Sequence, residues 1–179
     1  DFIIVKKSTL QFNPQADYWL DVKAFHDLID KVRKLKSPEK KSTLSEIKEA
    51  LSLSGGRFME GFSIDSPEYE TWLVKTRQEI HQKRVQALRW VSINYTQSGN
   101  LSTALDYTRD WIAEEPWDER ACRLTMQILE KLGQRNKALD EFKRCRKRLA
   151  EDLAIEPQPE TVQLYEQIKG GQFASSSFP

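Results

Sequence analysis

The sequence is poor in the residues that most often carry chemistry. Its 179 residues include two histidines, two cysteines and two methionines, with only seven glycines and seven prolines. His26 and His81 stand 81 − 26 = 55 positions apart, and neither has a Cys or His at metal-ligand spacing. Gly55-Gly56 lacks the GxGxxG or Walker spacing of a phosphate-binding loop and follows no buried strand. The acid pairs Glu114-Glu115 and Asp118-Glu119 read as a helix end and a cap. The chain is therefore expected to be no enzyme and to hold no cofactor or metal. A net charge of +1 gives no global field toward nucleic acid, so any basic surface must be local. The longest apolar run, Phe2-Ile3-Ile4-Val5, is far too short to cross a membrane. Two cysteines and the lack of a secretory or transit signal point to a reducing compartment, with the cytoplasm as the expected location. Asp1 is not a natural start, so a preceding segment is expected.

What remains is a charged, helix-forming sequence. Hydrophobic residues make up 39% and charged residues 31%, which suits one soluble domain with a sizeable core. Residues 1–12 differ from the rest: two short apolar runs around Lys6-Lys7-Ser8 read as a pair of strands and a turn. Such a hairpin is marginal alone. It is expected to be the edge of a neighbouring domain. From Asp21, a candidate N-cap, Ala24, Phe25, Leu28, Ile29 and Val32 form a helical stripe. A basic connector, 33–42, follows. Thr43 and Glu46 have capping-box spacing ahead of Leu44, Ile47, Ala50 and Leu51, and Gly55-Gly56 closes that helix. Ser66-Pro67 opens a long helix in which Tyr69, Trp72, Ile80, Leu88, Val91 and Tyr95 recur on an apolar face up to Gly99. Four more helices are expected over 101–114, 118–131, 135–152 and 159–169, and the tail 171–179 reads as a flexible linker.

The chain also repeats itself. GNLSTAL at 99–105 returns as GQRNKAL at 133–139, with Gly, Ala and Leu each displaced by 133 − 99 = 34 positions. A helix–turn–helix period of 34 is the tetratricopeptide signature, in which each helical pair buries an apolar face against the next. Leu88, Tyr95, Ala104, Trp111 and Pro116 fill the frame once. Cys122, Leu129, Ala138, Phe142 and Cys145 fill it again, and Pro arrives late at Pro157. Both cysteines fall at core positions and read as small buried hydrophobes.

A second set of residues is more specific. Gly56, Phe58, Met59, Gly61 and Phe62 form a loop, followed by Asp65, Pro67 and a helix with Trp72, Leu73 and Arg77. Arg146 and Leu149 precede the run Leu153-Ala154-Ile155-Glu156-Pro157, then Pro159 and Glu160. In this order the stretch 17–169 resembles the bacterial transcriptional activator domain of SARP/AfsR-type transcriptional regulators. Ser54, where an aromatic residue is common, and Ala154, where Gly is usual, depart from that pattern. The resemblance implies an all-α fold of tetratricopeptide-like stacked helical hairpins, acting as a regulatory module of a transcriptional activator. It further implies an OmpR-like winged helix upstream, with 1–16 as its last wing strands, 17–170 as the activator domain and 171–179 as linker. Promoter binding would then belong mainly to the absent winged helix. This domain would support promoter binding, homodimer formation or contact with RNA polymerase.

Two surfaces are candidates for recognition. The run Lys143, Arg144, Arg146, Lys147 and Arg148 could contact phosphates, with 31–41 as a second basic cluster, although Asp140, Glu141, Glu151 and Asp152 flank the first. The other is the concave face of the repeat. By frame it carries Gln86, Arg89 and Ile93, then Arg120, Arg123 and Gln127. Arg89 and Arg123 are repeat equivalents, since 123 − 89 = 34, and could hold a carboxylate or an acidic peptide. The Asn of the well-known carboxylate clamp is absent, with Ile93 and Gln127 in its place. A free-standing peptide-binding scaffold and a helical domain that contacts DNA directly remain alternatives to the regulatory module.

Overall fold

The structure is a computed structural model that describes residues 1–34 and 41–173. A hairpin of β1 (Ile3–Lys6) and β2 (Thr9–Phe12) leads into seven helices among the described residues. These are α1 (Asp21–Lys34), α2 (Lys41–Leu53), α3 (Pro67–Gln97), α4 (Leu101–Glu114), α5 (Glu119–Lys131), α6 (Arg135–Leu153) and α7 (Pro159–Lys169). The fold is an all-α helical repeat with an N-terminal hairpin. Consecutive helices pack on one another, and α7 also packs on α5.

Local chemistry sets the boundaries. Ser66 lies in the extended region and its hydroxyl accepts the Tyr69 N–H at 3.3 Å, while Pro67 takes the first helical position, where no N–H is needed. Asn100 and Asp118 cap α4 and α5 in the same way, through Thr103 and Arg120 N–H groups at 3.4 and 3.0 Å. Gly99 and Gly133, one repeat apart, take φ of +77° and +71° in the turns after α3 and α5.

The 34-residue offset becomes packing. Ala104 and Ala138 are both fully buried, as are Leu88 and its equivalent Cys122. Trp111 is 1% exposed at the centre of a cluster built from the C-terminal part of α3 and from α4, α5, α6 and α7. A smaller cluster joins Phe25, Ile29 and Val32 of α1 to Ile47 and Ala50 of α2 and to Ala87 and Val91 of α3. Leu51, Tyr95 and Tyr107 touch both clusters, and the two tyrosine rings stack at 5.7 Å. Each fully buried Leu, Ile or Phe of the two clusters contributes about 1.5–3 kcal/mol, and the partly buried seam joins the clusters.

Several expectations are corrected. Asp21 is the first residue of α1 rather than its cap; the first carbonyl acceptor is Leu20, which takes the Ala24 N–H at 2.9 Å. Thr43 and Glu46 form no capping box, because α2 begins earlier, at Lys41. Thr43 is buried inside the helix with its hydroxyl unpartnered, and Glu46 instead accepts Lys31 of α1 at 2.6 Å. Trp72 lies at helical spacing from core residues yet is 48% exposed. The middle of the expected connector, 35–40, the cations of the second basic cluster that fall there, and the tail beyond 173 lie outside the described residues.

The hairpin stands apart from the helical core. Its register pairs Ile3 with Phe12 and Val5 with Leu10. Only Ile4 of its residues is partly covered; Val5 and Leu10 are 73% and 76% exposed. The Asn13 side chain closes its base by donating to the Asp1 carbonyl at 2.9 Å, and Phe12 meets Tyr18 edge-on.

Candidate functional site

The first helices of the repeat pairs, α3 and α5, share one cavity-lined face, and Arg123 of α5 reaches Thr161 of α7 beside it. Three adjoining cavities run along it. One, of about 550 Å³, lies between the α2–α3 loop and α3 and is lined by Ser54, Phe58, Arg77, His81, Arg84 and Glu114. A second, of about 630 Å³, shares His81 and Glu114 with it and continues over Glu115, Asp118 and Gln158. The third, of about 300 Å³, shares Arg120 and Arg123 with the second and is completed by Arg89, Ile93, Leu124, Gln127 and Trp111.

The walls are fixed by arginines. Arg77 donates to the Phe58 and Met59 carbonyls at 2.9 and 3.1 Å and so holds the loop before α3. That loop bends through positive φ at Gly56, Met59 and Gly61. Phe58 and Phe62 then pack edge-on against Trp72 and Tyr69. Arg84 binds Glu114 at 2.6 Å and also the Leu51 and Ser54 carbonyls and the Ser54 hydroxyl, joining the ends of α2 and α4. Ser54 therefore has a structural use that an aromatic side chain could not supply.

Toward α5 the charges separate by role. Arg120 grips Asp118 with both ends of its guanidinium, at 2.8 and 2.7 Å. Burial works against ionisation of Asp118, yet the side-chain and backbone hydrogen bonds from Arg120, with Arg89 adding at longer range, hold its carboxyl below the usual range. Arg123 donates to two neutral acceptors, Gln158 Oε1 at 3.2 Å and Thr161 Oγ1 at 2.7 Å, and so docks α7. Arg89 is exposed and makes no hydrogen bond or ion pair to any described residue. Five of the six residues expected on this face, Arg89, Ile93, Arg120, Arg123 and Gln127, line the third cavity together. Gln86 does not; it lies one turn away on α3, half-buried and outside that lining.

Sequence reasoning missed Glu119. It is 6% exposed, and both its oxygens accept the Gln158 N–H, at 3.0 and 2.9 Å. A carboxylate at the start of α7 is favoured there by the free N–H groups of the first turn. The partners are 39 residues apart, and no local pattern announces them.

The remaining chemistry-bearing residues are occupied. Lys143 pairs with Asp140, Arg144 and Arg148 with Glu141, Arg146 with Glu156, and Lys147 with Glu151, so each cation of the basic run faces a carboxylate. His81 sits 3.3 Å from Glu114 and 3.6 Å from Glu115. Burial, then Lys83 at 3.3 Å, lowers the His26 pKa and favours the neutral ring. Cys122 and Cys145 are free and buried; the neighbouring Cys145 and burial push the Cys122 thiol up, away from the reactive thiolate. Among the described residues no three His, Cys, Asp or Glu side chains converge as a metal site, and no helix is long and apolar enough to cross a membrane.

The chain belongs to the bacterial transcriptional activator domain family, whose model matches residues 20–169. That family is found in SARP-type regulators, which makes this a bacterial transcription-regulating domain. A comparison with curated proteins gives no match.

Proposed function

We propose that this domain is the non-catalytic activator module of a cytoplasmic bacterial regulator and works by protein contact along its concave face. The observation that carries this reading is the run of three adjoining cavities along α3 and α5. The partner is RNA polymerase or a neighbouring domain of the same regulator. Promoter binding falls to a winged-helix domain whose last wing strands are residues 1–16. The apolar exposure of Val5 and Leu10 supports that assignment, because a strand pair with bare apolar side chains gains by being covered. The ion pairing of every cation on the α6 run weighs against direct phosphate contact.

The test uses a promoter reporter together with gel-shift binding, on the complete regulator. Arg89→Glu is expected to lower activation several-fold while promoter affinity stays unchanged. Unchanged activation would contradict the reading. So would salt-dependent DNA binding by the 179-residue chain alone.

A further inference from the structure

We infer that the cavity between α3 and α5 is a carboxylate-binding subsite that takes an acidic peptide segment bearing an apolar side chain beside its carboxylate. The subsite rests on the concave face being a contact surface, and it names the chemistry of the occupant. Three observations meet in one cavity. Arg89 makes no hydrogen bond or ion pair and meets Asp118, which Arg120 already holds, only at longer range; Arg123 is held in place by neutral acceptors, so neither guanidinium has a carboxylate of its own. Arg120 differs, because Asp118 neutralises it. Trp111 is 1% exposed and lines the same cavity, yet its indole N–H has no acceptor among the described residues. A buried donor without an acceptor is costly. Ile93 and Leu124 complete the lining with apolar surface.

These features select a ligand. Two guanidinium groups without a carboxylate of their own are donors only, so the matching group is an anion with several acceptor lone pairs. The apolar lining asks for an aliphatic or aromatic neighbour. At about 300 Å³ the cavity accepts a side chain or two, and it opens into the next cavity through the shared Arg120 and Arg123, so a chain can leave along the groove. That exit is acidic, with Glu114, Glu115 and Glu119 on its walls, which confines the acidic residues of the peptide to the Arg89 end. A peptide therefore fits the whole surface better than a free organic acid does.

The experiment titrates the 179-residue chain with a fluorescein-labelled peptide in which Glu alternates with Leu and Phe, and with its Gln counterpart. Free citrate is a third arm. The indole N–H resonance of Trp111 is followed by NMR and identified by its loss in Trp111→Phe. The Glu peptide is expected to bind about tenfold or more tighter than the Gln peptide, with affinity falling as salt rises. Arg89→Gln breaks no contact in the fold and is expected to weaken binding about tenfold, and the Trp111 resonance is expected to move on titration. Unchanged affinity in Arg89→Gln overturns the subsite, as does a stationary Trp111 resonance or no binding of the Glu peptide. Arg89-dependent capture of citrate without the peptide overturns the peptide assignment. Failure here with activation still lost in Arg89→Glu removes only the subsite. Peptide binding with activation intact removes only the wider reading.

Discussion

Along α3, residues 85–96 bury Val85, Ala87, Leu88, Val91, Ser92 and Thr96, whereas residues 67–79 bury Leu73 alone. Both stretches carry apolar side chains at helical spacing, and both belong to one unbroken helix. The difference lies in what stands opposite. The second stretch is covered by α4 and by the α1–α2 pair, and it feeds both core clusters. The first is met by a loop, pinned through Arg77 and two aromatic contacts, which leaves Trp72 and Val74 about half exposed or more. Helical periodicity assigns a face to each residue, but a neighbour has to exist before that face is buried.

Substitutions can break or sharpen this contrast. Trp111→Ala removes the largest fully buried side chain and is expected to cost about 3–5 kcal/mol in denaturant unfolding. Trp72→Ala, at a half-exposed ring in an aromatic cluster, is expected to cost about 1 kcal/mol. Equal losses would mean that the two parts of α3 are packed alike. A smaller effect is expected after α6. Ala154 sits at φ +55° and ψ +36°, a left-handed conformation that strains a side chain bearing Cβ, and its N–H closes the helix on Leu149. Ala154→Gly is therefore expected to stabilise the domain by about 1 kcal/mol, read as a raised unfolding midpoint; a loss of stability would show that the strain is not there.

Much of the fold could be read in advance. The C-terminal helices were legible because Gly, Pro, Asn and Asp punctuate them and because the repeat shows the frame twice. The two arginines of the groove followed from the same offset. What could not be read depended on contacts between distant residues. A Thr-x-x-Glu pattern looks the same whether Thr43 caps a helix or sits inside its first turn, and the deciding partner of Glu46, Lys31, is 15 residues away. The exposure of Trp72 depends on which elements cover α3, and Glu119 depends on where α7 returns. The repeat frame puts Gln86 on the groove, yet it lies outside the cavity lining.

Amide hydrogen exchange along α3 is the most direct test of the central claim, that repeat packing closes the second part of this helix and leaves the first part open beside the concave face. The account predicts that amides over 85–96 exchange only through openings close to global unfolding, and that those over 70–77 exchange faster by orders of magnitude. Uniform protection from one end of α3 to the other would contradict it.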